Sequence, residues 1–237
     1  MTHGKTSRQT DHRTLVAIER REKTRAKLLR GAIQVFAQHG AEAKVIDLVI
    51  REAGVSRGTF YNYFRTNEEL FLEVSREVSN EIILSVDPLV LQQKDAGAGL
   101  ACGLVSVVRL AGSYPLFAQF VSKGGPLALS AGNLTKTAVT REIRNGIAAG
   151  LFTVTDEQLA FDLILGPVIM AFHTVLSGGA SESYARDMAQ AVLCSLGVDD
   201  ARARQYAWLD FEDVDIPESS IFRSYPQATQ ESAPWSR

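Results

Sequence analysis

Cysteine is scarce in this chain: Cys102 and Cys194 stand far apart and outside any CxxC spacing. That argues against a disulfide framework or a zinc site built on paired thiolates, and it fits a reducing cytoplasm. Histidine is as sparse, with His3, His12, His39 and His173 scattered along the sequence, so no metal site and no cofactor are expected. Long apolar runs are lacking too. The longest, "LILGPVIMAF" from Leu163 to Phe172, is bounded by Asp162 and His173 and is too short to span a bilayer. The N-terminus is polar and basic, unlike a signal peptide, so a membrane protein is not expected. No stretch shows the alternating pattern of a strand. The expected class is all-α.

A net charge of −2 hides an asymmetry. Residues 1–65 carry 13 Lys and Arg against 6 Asp and Glu, whereas residues 66–237 carry 12 against 21. One end of the molecule suits a polyanion and the rest does not.

Apolar spacing and composition divide the chain into four parts: a flexible basic arm over 1–20, a small helical unit over 21–65, a larger helical unit over 66–198, and an acidic tail over 199–237. A first helix is expected from Glu22 to His39, ended by Gly40, and a second from Val45 to Ala53, stopped by Gly54. Ser56 can cap a third helix reaching Phe64, and Thr66 with Glu69 opens a fourth that runs to about Leu84, short of Asp87-Pro88. Further helices are expected over 96–111, 115–121, 127–149, 159–176 (opened by Thr155 and Gln158) and 181–196. The helix from Leu159 to Leu176 is apolar on nearly every face, which calls for a cover that one subunit seldom supplies.

The stretch "GVSRGTFYNYF" from Gly54 to Phe64 carries the chemistry. Two short helices joined by a tight turn at Gly54 form a helix-turn-helix, with Phe60 and Phe64 facing inward and Arg57 and Tyr61 outward. Gly58 lets the helix N-terminus approach a surface closely. Ser56, Arg57, Gly58 and Thr59 would enter a major groove, where arginine pairs with guanine and the threonine methyl meets thymine. Tyr63 would reach a phosphate, and Asn62 belongs to the same surface.

From Arg21 to Phe71, "REKTRAKLLRGAIQVFAQHG...IREAGVSRGTFYNYFRTNEELF" resembles the N-terminal domain of the TetR family of bacterial transcriptional regulators. The resemblance covers about fifty residues, with AGVS, GTFY, YF and EEL in register. It implies an all-helical homodimer, a palindromic operator in double-stranded DNA and a C-terminal domain that takes a small effector of unspecified identity. It also implies that the last two long helices form a four-helix dimer bundle. There are departures: Lys44 stands where a threonine usually caps the second helix and touches phosphate, Ile50 replaces an alanine, and Asn67 stands where a lysine often contacts the backbone. Arg20, Arg21, Lys23 and Arg25 offer compensating charge.

Candidate effector-pocket residues are Leu104, Val108, Phe117, Phe120, Phe161, Leu165, Phe172 and His173, a mixture of aromatic and aliphatic groups with few polar anchors. Ordinary core is the alternative role for each of them. Enzymatic readings find little support. "GAGLACG" from Gly97 to Gly103 lacks the third glycine and a preceding strand, and "ALSAG" around Ser130 lacks a nucleophile elbow's first glycine. The expected function is a ligand-released repressor; the alternatives are a DNA-binding structural protein without an effector and an enzyme.

Overall fold

Caps and breakers set the helix ends in the computed structural model, which describes residues 5–41, 45–130 and 134–224. Helix α1 spans Lys5–His39, so the residues expected to form an arm are helical from Lys5 onward and continuous with the first helix of the DNA-binding unit. The reason is local: no proline interrupts this segment, its only glycine is Gly31, and Glu19 pairs with Lys23 one turn on, at 2.7 Å. Residues 14–23 are exposed on every side. The next two helices are α2 (Ile46–Ala53) and α3 (Arg57–Tyr61), joined at Gly54, whose φ of 63° lies in the left-handed region that favours glycine. Helix α3 stops short of the expected Phe64, yet Phe60 and Phe64 are both buried as expected.

Helix α4 (Asn67–Leu91) begins at Thr66, whose hydroxyl accepts from the Glu69 amide at 3.1 Å. It continues through Pro88, past the expected end near Leu84. Pro88 lies on the solvent side, as does Leu84, whose carbonyl loses its helical donor, and water can replace that bond.

Then come α5 (Ala96–Ser113), α6 (Pro115–Gly124), α7 (Pro126–Ser130) and α8 (Leu134–Ala148); the stretch expected as one helix over 127–149 is helical on both sides of 131–133, which lie outside the described residues. Helix α9 (Glu157–Leu176) is capped by Asp156 and not by Thr155: the Asp156 carboxylate accepts from the amides of Gln158 and Leu159. Helix α10 spans Tyr184–Ser195.

The chain past 198 is no simple tail. Asp199 caps α11 (Asp200–Ala207), which packs on α5 and α10 and buries Ala203, Tyr206 and Ala207. The following segment buries Phe211, Ile216 and Ile221 and ends in a 3-10 turn over Ile221–Ser224. No strand occurs among the described residues.

Three phenylalanines join the N-terminal helices to the body. Phe71 of α4 meets Phe36 of α1 edge-on at 5.1 Å and Phe120 of α6 at 5.4 Å between ring centroids. Phe120 is therefore an interdomain core residue and not part of a pocket.

Candidate functional site

The first candidate surface lies at the start of α3. Ser56 accepts from the Thr59 amide at 3.1 Å and shares a hydroxyl bond with Thr59 at 2.8 Å, which fixes the first turn. A Cβ on Gly58 would meet nothing nearer than the Ser56 hydroxyl at 4.0 Å, so the space outside it is open. Arg57, Tyr61 and Asn62 are exposed and Thr59 is half-buried. Arg57 is not free: its guanidinium donates to Asp47 of α2 at 2.7 Å. Sequence reasoning missed Asp47, because ten residues and a turn separate it from Arg57.

Tyr63 is half-buried, donates its hydroxyl to the Arg21 carbonyl at 3.3 Å, and lies beneath the Arg21 guanidinium at 5.9 Å. Arg20 and Arg21 line a cleft between α1 and α3 together with Thr59, Asn62 and Tyr63. The other two expected basic partners are engaged elsewhere. Lys23 pairs with Glu19, and Arg25 bonds Glu73 and Glu77 of α4. Asn67 turns inward: its amide donates to the Ala41 carbonyl at 2.9 Å, and its carbonyl oxygen is buried without a partner. An Asn67 tied down in this way positions the α2 approach and is not presented to a phosphate. Lys44 lies outside the described residues.

The second candidate is a partly open cavity of about 100 Å³ lined by α4, α5, α6, α8 and α9. Of the expected pocket residues it gathers Leu104, Phe117 and Leu165. Val108, Phe161 and Phe172 are packed core away from it, and Phe172 backs the Phe117 ring at 4.9 Å between centroids. His173 is exposed on the outside of α9, so it is neither a core histidine nor a cavity group.

The cavity is apolar except at one end. There Arg141 of α8 makes a bidentate pair with Asp87 of α4, at 2.7 and 3.0 Å, and donates from Nε to Glu142 at 2.8 Å. The Asp87 bonds, with Glu142 adding, raise the Arg141 pKa further above its ordinary value, so this charge is permanent. Glu142 is buried, and its second oxygen points at Gly99 of α5, where a Cβ would come within 2.8 Å. Glycine at 99 thus makes room for the carboxylate. Ser79 and Thr135 add a hydroxyl pair on the same wall. Nothing in the local pattern announces this polar end, since Asp87 and Arg141 meet across 54 residues of sequence.

Known proteins resemble the chain in both halves. Residues 28–74 match the model for bacterial regulatory proteins of the tetR family, and residues 95–208 match the tetracyclin repressor-like C-terminal domain. The HTH-type transcriptional regulator YhgD of Bacillus subtilis is 37% identical over 60 residues, which are 25% of this chain and 31% of YhgD. The HTH-type transcriptional repressor AcnR of Corynebacterium glutamicum is 37% identical over 54 residues, 23% of this chain and 29% of AcnR. The chain thus spans about a third of the length of these curated relatives, at the DNA-binding end. Among solved structures, RolR in complex with resorcinol aligns with a TM-score of 0.66 at 25% identity, covering 84% of this chain and all of RolR. A helix-turn-helix in register with one family model, a helical C-terminal domain matching the other, and a structural alignment over 84% of the chain lead to one conclusion: the chain belongs to the TetR family of DNA-binding transcriptional regulators.

Proposed function

We propose that this regulator, which as a member of its family is not an enzyme, is a cytoplasmic homodimeric repressor that leaves a palindromic operator when a small amphipathic effector fills the cavity between α4 and α9. The observation that carries this reading is the cavity itself: lined by five helices, apolar on most walls, and polar at one end. Its size is near that of an apolar cavity of about 150 Å³ that accommodates benzene. A single ring fits this scale and a long acyl chain does not. At the polar end Asp87 and Glu142 bring two carboxylates against one guanidinium, so the wall favours a ligand that donates hydrogen bonds over one that carries an anion. RolR, the structural neighbour, binds resorcinol, a single ring with two hydroxyl donors.

Support for a dimer comes from α9. Both α5 and α9 are long and apolar enough to cross a membrane by composition, but α5 is 72% buried within the chain and α9 only 33%. Leu159 and Met170 are exposed on α9, with Leu163 and Ile169 half-buried. A second copy, packing α9 and α10 against their equivalents, covers this face. Two reading heads related by a two-fold axis then require two inverted half-sites.

On the DNA side, Ser56, Arg57, Gly58, Thr59, Tyr61 and Asn62 would meet the major groove, with Arg20, Arg21 and Tyr63 along the backbone. The test is to select duplexes from a random library with the full-length protein, then titrate release of the selected duplex with resorcinol and with a panel of other single-ring phenols, benzoates and fatty acids. An inverted repeat released by phenols and not by anions of equal size is expected. Release by fatty acids alone, or by none of the panel, would defeat the effector reading.

A further inference from the structure

The match to the family's C-terminal domain ends at residue 208, and the chain continues across the molecule. Half-buried guanidiniums fasten its first part by the main chain. Arg186 donates to the carbonyls of Ala207 and Leu209, at 3.3 and 2.8 Å, and Arg109 donates to that of Phe211 at 3.4 Å. Such bonds hold whatever side chains the segment carries. Phe211 and Ile216 are buried along the way. Arg223 then donates from Nε and Nη2 to the Ile216 carbonyl, at 3.1 and 2.7 Å, and closes a loop that returns the chain onto α4.

The landing point is Glu81. Ser220 donates its hydroxyl to the Glu81 carboxylate at 2.6 Å, and the Ile221 amide donates to both carboxylate oxygens at 3.3 and 3.4 Å. Ser220 and Ile221 are buried, and the 3-10 turn packs against α1. Arg30 of α1 is near enough for its charge to act on the same carboxylate. Burial raises the Glu81 pKa, and the two donors from the segment act the other way, so the segment that covers the carboxylate also supplies bonds that offset its desolvation. Ser79, Ile82 and Ile83 in the same stretch of α4 form cavity wall. One turn of helix therefore carries the effector cavity on one side and the end of the C-terminal segment on another.

We propose that residues 208–224 are an intramolecular brace, and Glu81 its positioning residue, which locks α4 against α1 and so sets the angle at which the DNA-reading head is carried. The proposal rests on the reading of α1–α3 as that head, and its test separates the two. Full-length wild type, Glu81→Ala, Glu81→Gln and Ser220→Ala are compared by amide hydrogen exchange and by affinity for the duplex that wild type selects from a random library. In Glu81→Ala, exchange at 216–224 should rise about tenfold or more, as expected for the loss of hydrogen bonds to a charged acceptor. Exchange in α1 around Arg30 should rise with it, and duplex affinity should fall. Ser220→Ala, which removes only a hydroxyl, should shift the same amides in the same direction by less and remains informative should Glu81→Ala not fold. Glu81→Gln, which keeps an acceptor for both donors, should restore most of the affinity.

Faster exchange confined to 216–224, with α1 and duplex affinity as in wild type, would reduce the segment to a local cover and overturn the brace. Unchanged exchange at 216–224 would overturn it as well. A wild-type protein that selects no duplex would sink the reading of the head, while the exchange in α1 would still decide the brace.

Discussion

Phe117 and Phe172 meet edge to face, with ring centroids 4.9 Å apart and planes inclined at 69°, and only the first of them borders the cavity. The second is fully buried on α9 and holds the first in place. Replacing Phe172 with alanine should cost about 3–5 kcal/mol of stability, the usual toll for emptying a buried phenyl site. It should also weaken release of the operator by any active phenol, because the Phe117 ring loses its backing. Urea unfolding and release titrations check the two parts; normal release from a destabilised protein would confine Phe172 to packing.

Arg57→Ala should cost about 1–3 kcal/mol on the selected duplex and flatten base preference at one position per half-site. Since Asp47 holds the Arg57 guanidinium in the free protein, Asp47→Ala should leave that preference intact and raise affinity for all duplexes by removing a negative charge from the contact face. Sequence logos from selections with both variants check this. An unchanged logo for Arg57→Ala would remove Arg57 from base reading.

Arg21→Ala should make the salt dependence of duplex binding shallower by about one unit of the logarithmic slope, the effect of losing one phosphate contact. Lys23→Ala should leave the slope alone, because Lys23 is paired with Glu19 on the exposed face of α1. Binding isotherms at several salt concentrations measure both. Equal slopes for wild type and Arg21→Ala would take the α1–α3 cleft off the DNA backbone.

Met170 is 59% exposed on α9, so Met170→Asp should fold normally yet sediment as a monomer where wild type is a dimer. A wild-type protein that sediments as a monomer at micromolar concentration would remove the dimer. The same substitution buried inside one chain would unfold it, so circular dichroism on the variant separates the two cases.

Bonds from Arg76, with Arg25 adding, hold the Glu73 carboxylate below the usual carboxylate range. A depressed folded value means that this contribution to stability is complete above the unfolded value of about 4.3 and is lost as pH falls through the folded one. Wild type should therefore exceed Glu73→Gln in stability at pH 7 and at pH 5, and the gap should narrow progressively as pH falls below the unfolded value of about 4.3. A gap that does not narrow on acidification would mean that Glu73 acts by shape and not by charge.

The head was legible because its signals are local. Gly54, Ser56 and the Phe60–Phe64 spacing each act within one turn of chain, and the structure has them in those roles. The cavity was not legible in the same way. Helical spacing marks Leu104, Val108, Phe161 and Leu165 alike as inward, but which of them borders empty space depends on how five helices meet. Phe120 shows the difficulty: its aromatic neighbours are Phe71 and, beyond it, Phe36, both distant in sequence. Pro88 misled for a related reason. A proline ends a helix only where the freed carbonyl has no other donor, and exposure at Leu84 supplies one. The fastening of 208–224 by main-chain carbonyls leaves no trace in side-chain pattern at all.

The unbroken length of α1 has a mechanical consequence. Its 35 residues make a rod of about 52 Å at roughly 1.5 Å per residue. The rod is gripped over its C-terminal half, from Arg25, which bonds Glu73 and Glu77 of α4, to Phe36, which meets Phe71, and Gln38, whose carbonyl accepts from Lys123. A swing of about 5° about Arg25 would carry Arg21 only about 0.5 Å and the far tip roughly 2–3 Å, given the same rise per residue. Displacements small at the cavity wall would then be larger at the N-terminal end of α1, and because such coupling is reciprocal, anything that held that end would be felt in turn at the cavity.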